Sequence, residues 1–167
     1  MRRPLLGPAR LDLLLAVVAV ALIAVAAVLF LRGGQSDEQK AAGQYAEIVK
    51  AAKQETIAFL TIDHTKMDDI TDAVLDGATG EFKKEYTTSL DSLKDAAKQQ
   101  ESFATGTVDE AGVSEADADS ATVFVSAASD VRNKGTDGKT ETRAWRIKLT
   151  MNREGDRWLV SKLEFVS

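Results

Sequence analysis

The chain opens on an uninterrupted apolar stretch and then changes its period twice. Leu13 to Leu31 is a run of 19 residues without a charge. As a helix rising about 1.5 Å per residue, such a run spans roughly 28 Å, close to the hydrocarbon thickness of a bilayer. A buried globular helix would carry a polar stripe, whereas this segment is apolar all round. A cleaved signal peptide would have a shorter apolar core and a small-x-small cleavage site, but the run ends Leu29-Phe30-Leu31-Arg32. The pattern predicts a cytoplasmic tail over 1–10 and a transmembrane helix over 11–32, in contact with membrane lipid. Arg2, Arg3 and Arg10 precede the span and only Arg32 follows it closely. Retention of cationic side chains on the inner side places the N-terminus in the cytoplasm and the rest of the chain outside the plasma membrane. Ala16, Ala19, Ala26 and Ala27 lie close to one face. They leave room for a neighbouring helix, from another subunit or a second copy, but serve equally as lipid-facing filler.

Beyond the span, Gly33-Gly34-Gln35-Ser36 is expected to break the helix, making 33–40 a juxtamembrane linker to a domain over 41–167. Ser36 or Asp37 is the expected N-cap of a helix over about 37–61. Ala41, Tyr45, Ile48, Val49, Ala52, Thr56 and Phe59 follow at spacings of three and four and define its inward face. A second helix is predicted over about 65–77, with Met67, Ile70, Val74, Leu75 and Ala78 inward. A third is predicted over about 80–101, with Phe82, Tyr86, Leu90, Leu93 and Ala97 inward. After residue 102 the period becomes two. Segments 103–114 and 122–131 read as strands. In the next strand Trp145, Ile147, Leu149 and Met151 point one way and Arg146, Lys148, Thr150 and Asn152 the other, as in a sheet with one wet face. Glu154-Gly155-Asp156 predicts a tight reversal into a last strand. There Leu159, Ser161, Leu163 and Phe165 are expected on one face, and Trp158, Val160, Lys162 and Glu164 on the other. Glu115–Ser120 and Asn133–Lys139 read as exposed turns. The expected fold class is α+β: three helices packed on a curved antiparallel sheet of about four strands.

Charge and composition narrow the function classes. Residues 33–167 hold 17 basic and 25 acidic side chains, a net of −8. Such a domain repels nucleic acid and anionic headgroups, so no nucleic-acid partner is expected. The absence of cysteine excludes disulfides, thiol catalysis and cysteine-ligated zinc. His64, the single histidine, follows Asp63, yet adjacent residues rarely face each other across a site, and a helix-junction histidine is the simpler reading. Asp68, Asp72 and Asp76 recur every four residues. They make either a row of cation ligands or the solvated side of a helix packed through Ile70 and Val74, and the second is preferred. Asp117-Ala118-Asp119 lacks the glycine and glutamate of a calcium loop. No catalytic residue, metal ligand or cofactor is implied. Trp145 and Trp158, with Phe82 and Tyr86, are candidates to line an apolar cavity; the alternative makes them core or hairpin-edge aromatics.

Several stretches resemble a known family. They are Phe59-Leu60-Thr61-Ile62-Asp63, Val74-Leu75-Asp76-Gly77-Ala78-Thr79-Gly80-Glu81-Phe82, Gly106-Thr107-Val108-Asp109-Glu110-Ala111-Gly112-Val113, and Gly155-Asp156-Arg157-Trp158-Leu159-Val160-Ser161 with Leu163-Glu164. In this order, behind an N-terminal anchor, they resemble Mce-associated membrane proteins of the mammalian-cell-entry (Mce) systems. The resemblance implies a cone-shaped domain like nuclear transport factor two and the SnoaL-type enzymes. It also implies a non-catalytic accessory or stabilising role beside other Mce complex subunits that import lipid or sterol across an actinobacterial envelope. The same architecture resembles inner-membrane scaffold subunits of conjugation and type IV secretion machines, which is the alternative. A further alternative is a cone that binds an apolar small molecule.

Overall fold

A computed structural model describes residues 8–167, with side chains described at 19–30 and 38–167. The elements in order are α1 (Pro8–Leu60), β1 (Ile62–Asp63), α2 (Met67–Gly77), α3 (Gly80–Gln100), β2 (Phe103–Ala116), β3 (Ser120–Arg132), a 3-10 helix (Lys134–Thr136), β4 (Glu141–Glu154) and β5 (Arg157–Phe165). The chain divides into two compact units, 1–43 and 44–167. In the first, the apolar side chains Val20, Leu22, Ile23, Val25, Leu29 and Phe30 are all exposed. The expected span over 11–32 lies partly outside the described side chains, and of the expected tail over 1–10, residues 1–7 lie outside the described residues. Among the described residues no helix is long and apolar enough to cross a membrane.

The break expected at Gly33-Gly34 is corrected: the backbone is helical from Pro8 to Leu60. A helix-interior glycine costs about 1 kcal/mol relative to alanine but keeps its N–H and C=O, so the hydrogen-bond ladder survives it. Ser36 and Asp37 therefore lie within the helix and not at its start, and the segment 33–40 is helical too.

In the second unit the sheet is an antiparallel meander, β1-β2-β3-β4-β5. Five strands form where about four were expected. The addition is the two-residue β1, whose Ile62 pairs with Ala104 and Asp63 with Phe103. Its brevity leaves no alternation to detect. The predicted turn over Glu115–Ser120 shrinks to Asp117–Asp119, because β2 and β3 pair as far as Ala116 and Ala121. The other predicted turn holds the 3-10 helix, where Asn133 and Thr136 cap each other reciprocally and Thr136 is buried.

The inner face of the sheet follows the predicted period. Along β3, Ala121, Val123, Val125, Ala127 and Ser129 are buried; they pair with Met151, Leu149, Ile147, Trp145 and Arg143 of β4. The last strand departs from its expected alternation. Val160 pairs with Met151 and Lys162 with Thr150, so Ser161 is an extra residue, a β-bulge. Its hydroxyl donates to Asn152 Oδ1 at 2.6 Å, with the Thr150 carbonyl as an alternative acceptor at 3.1 Å. The bulge reverses parity: Trp158 and Val160 face the core before it, and Leu163 pairs with core Leu149 after it. Two more register shifts in β2, at Val108/Glu110 and Val113/Glu115, bend the long strand.

The helices cover this face. Ile48, Ala52 and Thr56 of α1 are fully buried, as are Val74 of α2 and, nearly, Phe82 of α3. Tyr45, expected inward, is exposed, so the buried stripe starts at Ile48. The α2–α3 junction is pinned to β5, where the Thr79 N–H donates to the Val160 carbonyl at 2.8 Å. The helix α3 ends at Glu101, which takes a left-handed conformation with φ 51°, and Ser102 N–H closes the turn on Ala97 O at 2.9 Å.

Close approach makes one glycine indispensable. A Cβ at Gly106 in β2 would stand 2.7 Å from Leu60 Cβ and 3.0 Å from Ile57 O, whereas at Gly112 in the same strand it would meet nothing within 4 Å. Gly106→Ala is expected to destabilise the domain by about 1–3 kcal/mol through overpacking. Gly112→Ala is expected to change stability by no more than about 0.5 kcal/mol. Equilibrium urea unfolding of the two variants checks the contrast.

Candidate functional site

Two of the cavities in unit 44–167 are bordered by sequence-predicted residues. The first, of about 310 Å³, is lined by Phe59 and Leu60 from α1, Met67 and Ile70 from α2, and Tyr86 and Leu93 from α3. The sheet adds Ser129, Trp145 and Phe165. An aromatic chain runs through it. Trp145 and Phe165 have ring centroids 5.2 Å apart, Phe165 and Phe59 6.3 Å, and Phe59 and Tyr86 6.3 Å. Tilted and edge arrangements of this kind add to simple burial. Trp145 is oriented by its indole N–H, which donates to Ser129 Oγ at 2.8 Å. Phe165 is 54% exposed.

Phe82 is buried behind this cavity, edge-on to Phe59 at 5.7 Å. Trp158 lies elsewhere, in a second, polar cleft. Of the four predicted lining residues, Tyr86 and Trp145 therefore line this cavity, Phe82 packs against Tyr86 from the core with ring centroids 5.9 Å apart, and Trp158 borders the other cleft. Phe59, Ser129 and Phe165 were not singled out. Phe59 was legible as an inward position of the first helix, but which inward residues border a void depends on packing across layers.

The polar cleft, of about 710 Å³, is bordered by Glu47, Lys50, Gln54 and Glu55 of α1, Asp76 and Gly77 of α2, and Asp156, Arg157 and Trp158 of the β4–β5 hairpin. Glu55 is 4% exposed and Trp158 6%. Glu55 Oε1 and Trp158 Nε1 are both buried without a hydrogen-bond partner. Desolvation, reinforced by the Asp76 carboxylate, pushes the Glu55 carboxyl up to about 8. Asp76 is itself held below the usual carboxylate range by Arg157, which binds it with two N–H groups at 3.1 and 2.7 Å. Burial, with the Glu55 charge second, pushes the Tyr86 phenol up to about 12, so Tyr86 stays protonated at neutral pH.

The remaining candidates resolve as structural groups. Asp63 Oδ1 accepts from Thr65 N–H at 3.0 Å and Thr65 Oγ1 at 2.6 Å, which lowers its pKa. His64 instead packs edge-on against Phe103 at 4.8 Å. The neighbouring pair therefore forms no dyad. Asp68 pairs with Lys94 at 2.6 Å and Asp76 with Arg157, so the every-fourth-residue row is divided between partners. Among the described residues no group of three or more acidic or histidine side chains is placed to hold a metal ion.

The Glu55 carboxyl gives the fold a defined pH dependence. Its folded value near 8 exceeds its ordinary 4.5. Its contribution to stability is thus complete below about pH 4.5 and is lost as pH rises through about 8. Between pH 5 and pH 9 the wild-type Tm is expected to fall by about 5 °C more than that of Glu55→Gln, which cannot ionise. Thermal unfolding at the two pH values, followed by circular dichroism, measures the difference.

Comparison with known proteins places these features. An IcmL-like type IV secretion system protein from Legionella pneumophila has a TM-score of 0.59 at 12% identity, covering 72% of this chain and 91% of that one. CagV, a VirB8 homologue from Helicobacter pylori, gives 0.57 at 6%, covering 72% and 97%. The periplasmic domain of DotI gives 0.56 at 13%, covering 71% and 92%. At such identities the likeness is one of fold. In sequence, the chain is 34% identical over 121 residues to the uncharacterized protein Rv1363c of Mycobacterium tuberculosis. That match covers 72% of this chain but only 46% of the relative, so the chain spans about half of that protein's length. Residues 11–167 match the family described as uncharacterized protein Rv1363c/MT1408-like, and the chain belongs to that family.

Proposed function

We propose that this chain is a non-catalytic, membrane-anchored assembly subunit of a cell-envelope machine, with residues 11–32 in the plasma membrane, the N-terminus in the cytoplasm and the domain outside. The observation that carries this is the solvent exposure of Val20, Leu22, Ile23, Leu29 and Phe30 within the charge-free run 13–31. Apolar side chains exposed all round a helix have no favourable environment in water and a good one in lipid. Anchoring confines the domain to a thin layer and raises its effective concentration for neighbouring subunits. The likeness in fold to IcmL-like, DotI and VirB8-type domains favours a scaffold of a conjugation or type IV secretion-like machine. Self-association would follow from such a role.

An accessory role beside Mce complex subunits in lipid or sterol import is the second machine-level reading, favoured by the ordered motifs from Phe59 to Glu164. For the domain itself, the aromatic cavity around Trp145 favours capture of an apolar group. Its volume stands at the low end of small-molecule sites.

On this proposal, alkaline carbonate washing leaves the full chain in the membrane pellet, and a variant lacking residues 1–40 moves to the supernatant. Affinity purification from solubilised native membranes, read by mass spectrometry, is expected to recover secretion-machine subunits. Deletion of the gene is expected to lower their abundance several-fold. Recovery of Mce subunits instead would select the import machine. Extraction by carbonate, or unchanged subunit levels after deletion, would overturn the proposal.

A further inference from the structure

Burying a polar atom without a partner costs about 1–3 kcal/mol, so native proteins leave few such atoms without a reason. Two such atoms, the Glu55 carboxyl oxygen and the Trp158 indole N–H, belong to residues that line the cleft bounded by α1, α2 and the β4–β5 hairpin. The position of Glu55 is built into the fold. A Cβ at Gly77 would fall 1.8 Å from Glu55 Oε2 and 2.8 Å from its Cδ. Gly77 thus vacates the space that the carboxyl occupies, and its backbone has no unusual conformation that would otherwise call for glycine.

We propose that this cleft is a binding site for an uncharged group that both donates and accepts hydrogen bonds, a carboxamide or a hydroxyl. The Trp158 N–H requires an acceptor. The carboxyl of Glu55, protonated at neutral pH, can donate or accept. A cation supplies no acceptor for the indole. A carboxylate meets a rim in which Glu47, Asp76 and Asp156 outnumber Lys50 and Arg157. Arg157 is further committed to Asp76, through both carboxylate oxygens and through the Asp76 carbonyl at 2.9 Å. This site is independent of the assembly role.

The test uses the full chain, labelled with ¹⁵N-tryptophan, in a detergent free of hydroxyl and amide groups. The chain has two tryptophans, so Trp158→Phe assigns both indole resonances. Acetamide, ethylene glycol, methylammonium chloride and sodium acetate are titrated separately. Ligands this small bind in the millimolar range at best. One or both neutral probes are expected to shift the Trp158 resonance saturably, at least threefold more tightly than either ion, while the Trp145 resonance stays in place. N-acetylglutamine methylamide separates the two sources of the group: binding tighter than acetamide indicates a side chain presented by a polypeptide, and weaker binding indicates a free small molecule. Glu55→Ala, which removes the carboxyl without crowding the cleft, is expected to weaken binding at least fivefold. Gly77→Ala should abolish it by displacing the carboxyl. The proposal fails if neither neutral probe shifts Trp158, if all four shift it alike, or if Glu55→Ala binds as well as wild type; the two atoms then hold only trapped water.

Discussion

The domain depends on closing the inner face of β3, β4 and β5. Val123, Val125, Ile147, Leu149, Met151 and Val160 form an apolar surface almost without solvent contact. Each such side chain contributes about 1.5–3 kcal/mol when buried. Ile48, Ala52 and Thr56 of α1, Val74 of α2 and Phe82 of α3 exclude water from it. Thr56 satisfies its hydroxyl within its own helix, on the Ala52 carbonyl at 2.8 Å, and so adds no unpaired polar atom to the core. Small residues set how near the layers come. Gly106 of β2 admits the end of α1 at Leu60, and Ala104, Ala121 and Ala127 are buried small residues of the same sheet.

Where one physical rule governs a segment, the sequence disclosed its structure. The alternation of Ile147, Leu149 and Met151 survives in the folded strand because β4 is paired on both sides there, with β3 from Glu141 to Asn152 and with β5 from Ile147 to Glu154. The stripes of α2 and α3 survive because each helix has a single buried side. Where two rules compete, the sequence misled. The bulge at Ser161 preserves good packing on both sides of itself, but it reverses the parity on which alternation relies. Gly33 and Gly34 disfavour helix without forbidding it, and the neighbouring residues prevail. The two-residue β1 exists only through its tertiary partner in β2.

The site was less legible than the fold. Trp145 and Tyr86 were identifiable as large aromatics on inward faces, but nothing local distinguishes them from Phe82, which fills the core, or Trp158, which borders a different cleft. Glu55 was detectable in principle. It stands at a spacing of seven from Ile48 and three from Ala52, so a charged residue occupies an inward position of an otherwise apolar stripe. Its significance emerges only once Gly77, from another helix, is seen to make room for it.

That accommodation ties the evolutionary freedom of two positions 22 apart in the chain. A side chain larger than hydrogen at 77 is compatible with this packing only if the residue at 55 shortens or turns away, and a shortened residue at 55 releases 77 from being glycine. Descendants of this sequence are therefore free to exchange volume between the two helices, but not to add it on both sides at once.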